Sequence, residues 1–306
     1  MISERERQWR LASFVDRDDE MARFCALLDS PGKMVMSVTG PGGIGKTSLL
    51  ARMIHEIACR EGITKIEVIY SGDDLPEFMT ILRTCRDNIE AKTFNKFTDL
   101  VNFYTDPHYN VNVNLQGGNV YAGNNLTATE GGSVGTIAGV VIKDAMFTSL
   151  RSDLDVSPAE QRATLTNQFI ACLAEAAKTR PLIVILIDGV EKMSEITARW
   201  LWDLFIVAIA DAKIANIRFV ILGRIKPAIE PWQEELVELA ELKGLSIPDI
   251  VLYLEKRGVG PEHREALAQM VFPDSEGTNR DGNPYDIANR VSAFIKLQER
   301  LAAAAR

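Results

Sequence analysis

The sequence predicts an α/β fold: a mainly parallel sheet in a three-layer sandwich, a Gly/Asn-rich β insertion, and a small C-terminal all-helical lid domain. Three observations predict it. Apolar runs at residues 34–38, 182–187 and 217–222, the first and last broken only by Ser37 and Arg218, are strands of the kind buried on both faces of a parallel sheet. Segments with helical spacing stand between these runs, which is the βαβ alternation of an open parallel sheet. Beyond about Pro231 the apolar runs give way to helical patterns, so a second, helical unit follows.

Each element follows from its residues. Residues 34–38 are a short apolar run closed by "TG", and residues 47–59 carry Leu49, Leu50, Met53, Ile54 and Ile57 on one helical face. Residues 65–70 are β-branched and end at "SGDD", and residues 74–99 are mostly helical in character. The pattern then breaks. Residues 106–140 are rich in glycine and asparagine, and Val111, Val113 and Leu115 alternate with polar residues, which predicts short hairpins or a β-roll-like excursion. Ser157, Pro158 and Glu160 form a capping box opening the helix "SPAEQRATLTNQFIACLAEAAKTR", which Arg180-Pro181 closes. "LIVILID" is the next strand, "SEITARWLWDLFIVAIADAK" a helix, and "IRFVILGR" the last strand. "WQEELVELAEL", "SIPDIVLYLEKRG", "EHREALAQMVF" and "NPYDIANRVSAFIKLQERLAAAAR" all have helical patterning. The expected organisation is an N-terminal segment at 1–30, a core at 31–235 containing the 106–140 insertion, and a helical lid at 236–306.

Composition narrows the function. The chain of 306 residues is 46% hydrophobic and 25% charged, as in ordinary globular proteins. A net charge of −8 disfavours a dedicated nucleic-acid surface, which needs clustered positive charge. Cys25, Cys59, Cys85 and Cys172 lie far apart without a CxxC pair, and three histidines are equally scattered, so reduced thiols are expected and a zinc site is not. The opening "MISERERQWR" is too charged for a secretory signal, and the longest aliphatic run is too short to span a bilayer. A cytoplasmic protein without a membrane partner is expected.

The stretch "SVTGPGGIGKTSLL" carries GxxxxGK[ST] without a mismatch, after an expected strand and at the start of an expected helix. Glycines let the backbone of Pro41, Gly42, Gly43, Ile44 and Gly45 curl so that successive N–H groups point inward at an anion, and the helix beginning there adds its dipole. Proline lacks an N–H, so Pro41 contributes backbone shape alone. Lys46 reaches the outer phosphates, the Thr47 hydroxyl is placed to ligate Mg²⁺, and Ser48 continues the first helical turn. Asp188, at the end of a buried strand, is the expected Mg²⁺ partner. Glu191, three residues on, either activates a water or is a solvated helix-start acid. Arg224 ends another buried strand on the same edge, where a cation senses a terminal phosphate or is a plain surface arginine.

The flanks of this loop resemble those of signal-transduction ATPases with numerous domains, the STAND class of P-loop NTPases that includes NACHT and NB-ARC-like domains. "FVDRDDEMARFCALLD" is similar to the "FVGRE" segment of that class, and "GNPYDIANRV" to its lid "GxP" motif. By that resemblance Phe14, Val15, Arg17 and Pro284 lie at the adenine, with Asp16 standing where the class has glycine. "LIVILIDGVEKM" is similar to the NACHT "hhhhDGhDE" strand, with Asp188 as the magnesium acid, Glu191 as the first acid of the final pair and Lys192 in place of the second. Arg224 matches the class's sensor arginine.

The resemblance implies an ATP/ADP- and Mg²⁺-binding, slowly hydrolysing switch whose nucleotide state controls lid position and homo-oligomerisation, in bacterial defence or signalling, with a protein trigger or effector as partner. Lys192 makes slow turnover the expectation. Three rivals stand beside it: an AAA-type or initiator-like ATPase acting on nucleic acid or protein, a small-molecule kinase, and a nucleotide-binding scaffold without turnover. The 106–140 insertion is either a partner or self-association surface or a surface elaboration with no separate role.

Overall fold

The structure, a computed structural model, describes residues 4–30, 32–69, 77–105, 156–271 and 282–304. The 106–140 insertion, and with it the expected hairpins, lies outside the described residues. The described chain divides into two units, residues 1–90 with 174–306 and residues 91–173.

In the larger unit, five strands form one sheet in the order β2-β3-β4-β1-β5: β1 (Val35–Thr39), β2 (Ile63–Ile69), β3 (Leu182–Asp188), β4 (Ile217–Gly223) and β5 (Val237–Glu241). Every pairing is parallel. The fold is the α/β fold of P-loop NTPases. Burial follows sheet position: β1 and β4 are buried throughout and β3 nearly so, whereas the edge strands β2 and β5 alternate with half-exposed residues.

Helices α1 (Glu4–Ala12) and α2 (Asp18–Asp29) precede the sheet, and α3 (Lys46–Ala58) follows β1. Phe24, Leu27 and Leu28 of α2 and Leu49, Leu50, Met53, Ile54 and Ile57 of α3 pack on Met36, Val38, Val184, Leu186, Val220 and Leu222 as one core. After β2 comes α4 (Phe78–Ile89). Between β3 and β4 the expected single helix is realised as α7 (Glu195–Arg199), a π-helical turn (Trp200–Phe205) and α8 (Ile206–Asp211). Trp200 stacks on Phe205 at 4.8 Å and Phe205 meets Phe219 edge-on. The wider turn brings these rings to the sheet, a shift that 3.6-residue periodicity does not encode.

The strands do not stop at Pro231. "WQEELVELAEL", expected to be helical, is a 3₁₀ turn (Pro231–Glu235) followed by β5. Its glutamates, leucines and alanine favour a helix, but Val237 pairs with Val35 and Ala240 with Val38, so edge pairing to the central strand overrides local propensity. The fifth strand therefore falls inside the stretch assigned to the lid. Helices alone follow it among the described residues: α9 (Ile247–Lys256), α10 (Pro261–Val271) and α11 (Pro284–Ala304). Ile250, Tyr253, Leu254, Val259, Leu267, Ala268, Ile287 and Val291 form their own core, into which Val15 of the N-terminal segment inserts.

The smaller unit contains a 3₁₀ turn (Ala91–Phe94), α5 (Asn95–Thr105) and most of α6 (Pro158–Ala177). Phe169 packs against Phe94 at 5.0 Å and Phe97 at 5.2 Å. The capping box is present: Ser157 N–H donates to Glu160 Oε2 at 2.9 Å and Glu160 N–H to Ser157 Oγ at 3.3 Å.

One buried charge ties the α2 end to the sheet. Arg218 of β4 donates to the carbonyl oxygens of Leu27 (2.8 Å), Ser30 (2.9 Å), Ala215 (2.7 Å) and Ile217 (2.8 Å). Arg218→Leu strands these acceptors without donors and is expected to lower the unfolding free energy by about 2–4 kcal/mol. Urea denaturation checks this, and an unchanged midpoint contradicts the bracing role.

Candidate functional site

Strand register sets the floor of the site. Val38 and Asp188 both stand opposite Leu222, so β1, β3 and β4 end at nearly one level. The chain leaves β1 through residues 40–45 into α3, at the carboxyl ends of parallel strands, where the strand order reverses around β1. Gly43 and Gly45 have φ of 81° and 99°, left-handed values that glycine adopts without strain. A Cβ on Gly43 would also come within 2.7 Å of Asn283 Oδ1 and 2.8 Å of Tyr285 Cβ. Glycine here permits both the curl and a close neighbour.

Lys46 is buried, and its Nζ donates to the Gly40 carbonyl at 2.6 Å and the Pro41 carbonyl at 3.0 Å. The Thr47 hydroxyl donates to Asp188 Oδ2 at 3.5 Å. Gly189, at φ 87°, turns the chain out of β3 into the 3₁₀ turn Val190–Lys192. There Glu191 Oε1 accepts from Arg224 Nε at 3.0 Å, while its Oε2 is buried with no hydrogen-bond partner. Two cations and two carboxylates thus meet in one cleft.

Their environment shifts two of them. Burial disfavours the Lys46 ammonium and lowers its pKa, opposed by Glu191 and Asp188 and reinforced by Arg224. Burial, then repulsion from Glu191, raises the Asp188 carboxyl; Lys46, the Gly189 N–H and the Thr47 hydroxyl oppose this. Burial in the pocket therefore works against the charged forms of Lys46 and Asp188.

The N-terminal segment approaches from one side. Asp16 has φ 61°, the left-handed region that suits a glycine and that aspartate tolerates better than most residues, which accounts for the departure from glycine there. Arg17, at φ 77°, is buried and turns its guanidinium inward to the carbonyls of Ile44 (3.2 Å) and Lys243 (2.6 Å). It braces the glycine loop. From the other side, Asn283 Nδ2 donates to the Gly42 carbonyl at 3.0 Å and the Tyr285 N–H to the Gly43 carbonyl at 3.2 Å. Leu245 N–H donates to the Gly282 carbonyl at 2.8 Å, which holds this clasp to the chain entering α9.

These pieces enclose a cavity of about 580 Å³. It is lined by Phe14, Val15, Arg17, residues 42–48, Asp188, Glu191, Arg224 and Pro284. Of the residues expected at the site, Pro41 alone is not in the lining; it supplies the carbonyl that holds Lys46. The structure adds residues that sequence reasoning missed. Trp9 and Arg10 of α1, and Leu245, Tyr253, Arg257 and Tyr285 beyond the sheet, also line the cavity. Arg257 lies over the Trp9 ring at 5.6 Å and the Tyr253 ring at 5.8 Å. The one available signal was Trp9 beside Arg10 in an otherwise charged helix.

Among the described residues no group of three or more His, Cys, Asp or Glu could hold a metal ion, and no helix is long and apolar enough to cross a membrane. The pair Thr47 and Asp188 is a hydroxyl and a carboxylate, the hard oxygen donors that suit Mg²⁺, an ion that keeps most of its waters.

No curated protein matches the chain. Among solved structures it is similar to a chain of the E. coli MS115-1 HORMA:CdnC:Trip13 complex, at 16% identity over 97% of this chain and 86% of that one, with a TM-score of 0.51. It is also similar to Cdc6p from Pyrobaculum aerophilum, at 11% identity over 96% of this chain and 64% of that one, with a TM-score of 0.52. A STAND protein with a tetratricopeptide repeat sensor from Pyrococcus horikoshii is similar at 17% identity over 89% of this chain and 28% of that one, with a TM-score of 0.44. At these identities the likeness concerns the fold. The family is shown by a model described as the AAA ATPase domain, which matches residues 13–205, more than half of the chain and the stretch holding the glycine loop, Asp188 and Glu191. The chain belongs to the AAA ATPase domain family.

Proposed function

We propose that this chain is an ATP-binding, slowly hydrolysing switch of STAND type, whose nucleotide state controls the position of the helices after β5 and the association of copies. The observation that carries the reading is the clasp: Asn283 and Tyr285 bond directly to the carbonyls of Gly42 and Gly43, so whatever moves the glycine loop moves the start of α11. A regulatory role in bacterial defence or signalling, with a protein trigger or effector, extends this reading by resemblance.

In this reading the residues divide the cleft. Phe14, Val15 and Pro284 line the adenine end, and Arg17 holds the loop in shape behind it. Residues 42–48 offer the N–H groups of the curled loop and of the first turn of α3, which have no acceptor within the helix. Lys46 releases the Gly40 and Pro41 carbonyls to donate to phosphate oxygens instead. Thr47 and Asp188 would hold Mg²⁺, which supplies charge neutralisation at the phosphates. Arg224 contacts the terminal phosphate in the ATP state and so leaves Glu191. Glu191 then has both oxygens available to orient a water and accept its proton, and its unpartnered Oε2 already faces no competing donor. Lys192 stands where a second acid would assist, which supports slow turnover.

A second reading, an AAA-type ATPase acting on nucleic acid or protein, is favoured by the family match. The acidic balance of −8 weighs against its nucleic-acid form. Duplex-DNA binding that saturates at physiological salt in the presence of ATP would favour it over the switch.

The switch is tested by measuring the mass of the purified chain, and the protease sensitivity of the segment leading into α11, with ADP and with a non-hydrolysable ATP analogue. A larger assembly or altered cleavage with the analogue is expected; identical behaviour in the two states contradicts the switch. Lys46→Ala is expected to weaken ATP and ADP binding by about tenfold or more, read by calorimetry, and undiminished affinity contradicts the phosphate contact.

Asp188→Asn is expected to raise the melting temperature of the nucleotide-free chain at neutral pH while removing the Mg²⁺ dependence of nucleotide affinity. The sign follows from the raised carboxyl: the folded state binds its proton more tightly than the unfolded chain does. The penalty is complete above the raised value and fades as pH falls toward the ordinary carboxylate range, so the gain from the amide shrinks there. A melting series from neutral to acidic pH checks this; a gain that grows toward acid contradicts it.

A further inference from the structure

Helix α1 lies outside the stretch that matches the family, yet it reaches the cleft. Its Arg10 lines the cavity, and Nη1 donates to Ser48 Oγ at 3.2 Å. Ser48 sits in the first turn of α3, directly after Lys46 and Thr47. The guanidinium is oriented by Glu6, whose Oε1 accepts from Nε at 3.2 Å and from Nη2 at 2.8 Å. A guanidinium has five N–H donors, so two remain beyond these three bonds. The neighbouring Trp9 meets Arg257 of the chain after α9, so consecutive α1 residues touch both sides of the cleft mouth.

Arg10 and Ser48 line the same cavity as Lys46, Thr47, Asp188 and Arg224, and Ser48 directly follows the two residues assigned to the outer phosphates and Mg²⁺. We infer that Arg10 is a further phosphate-binding residue of this cleft, taking a phosphate oxygen of a nucleoside di- or triphosphate. This rests on the nucleotide reading of the cleft. A carboxylate-oriented guanidinium beside the free N–H groups of a helix start is suited to a phosphate oxygen, because the planar fork donates two parallel bonds and the helix end adds its dipole. Glu6 presents the fork, and the phosphate completes its donors.

The alternative is that Arg10 only docks α1 on α3. The helix has a separate anchor on β2, where Arg7 Nη2 pairs with Glu67 Oε2 at 3.2 Å. The two roles separate experimentally. ADP affinity is measured by calorimetry on the full chain, and the melting midpoint without nucleotide is measured alongside, for the wild type, Arg10→Ala and Arg10→Lys. The expected result is an ADP affinity about tenfold weaker for Arg10→Ala, equivalent to roughly 1.4 kcal/mol, at an unchanged nucleotide-free midpoint, with Arg10→Lys recovering part of the loss. An unchanged ADP affinity in Arg10→Ala overturns the inference. So does a loss that Arg10→Lys shares in full and that tracks a lower nucleotide-free midpoint, as docking alone would give. A wild-type chain that binds neither ADP nor ATP overturns the nucleotide reading itself, and this inference with it.

Discussion

Everything at the site hangs from the glycine loop between β1 and α3. The central strand delivers the loop to the middle of the sheet edge, and α3 begins where the loop ends. The left-handed backbone at Gly43 and Gly45 bends the chain so that its carbonyls face outward to Lys46, Asn283 and the Tyr285 N–H. That one constraint has several dependants. Arg17 braces it at Ile44, the clasp grips it at Gly42 and Gly43, and Lys46 folds back on it at Gly40 and Pro41. A backbone conformation that only glycine holds easily is thus stabilised from three directions by side chains far apart in sequence.

The charges around the loop form a second layer of the same design. Lys46, Asp188, Glu191 and Arg224 are two cations and two carboxylates in one cleft, where burial disfavours the charged form of Lys46 and of Asp188. Most of these groups are paired internally: ammonium on carbonyls, hydroxyl on carboxylate, guanidinium on carboxylate. Glu191 Oε2 is left over. Under the proposed function, phosphate oxygens compete with these internal pairs for Lys46 and Arg224, and that competition is what lets a ligand bias the arrangement.

Helix α1 and the segment after it connect these layers to the helices beyond the sheet. Val15 is buried in the core of α9, α10 and α11, while Phe14 beside it packs on the sheet core. Lys256 Nζ donates to the Phe14 carbonyl at 2.5 Å. Two adjacent residues therefore belong to two hydrophobic clusters. A change at the cleft that shifts this segment acts on both, without needing a long path between distant sites.

The amino-acid sequence by itself determined the α/β class, because continuous apolar runs such as "LIVILID" admit few structures other than a doubly covered strand. It also made the glycine loop, Lys46 and Thr47 legible through their fixed local spacing, and Asp188 through its place at the end of an apolar run. Tertiary structure decided the rest. β5 was hidden because "VELAE" has helix-forming residues and becomes a strand only by pairing with β1. The π turn at Trp200 was hidden because its cause is ring packing on Phe205 and the sheet. Arg17 matched a motif, but its inward aim at Ile44 and Lys243 depends on a carbonyl more than two hundred residues away. Arg10, Asn283 and Tyr285 enter the site only because packing brings two remote segments to one loop. Local spacing encodes which groups a segment carries; which of them meet is set by burial across the whole chain.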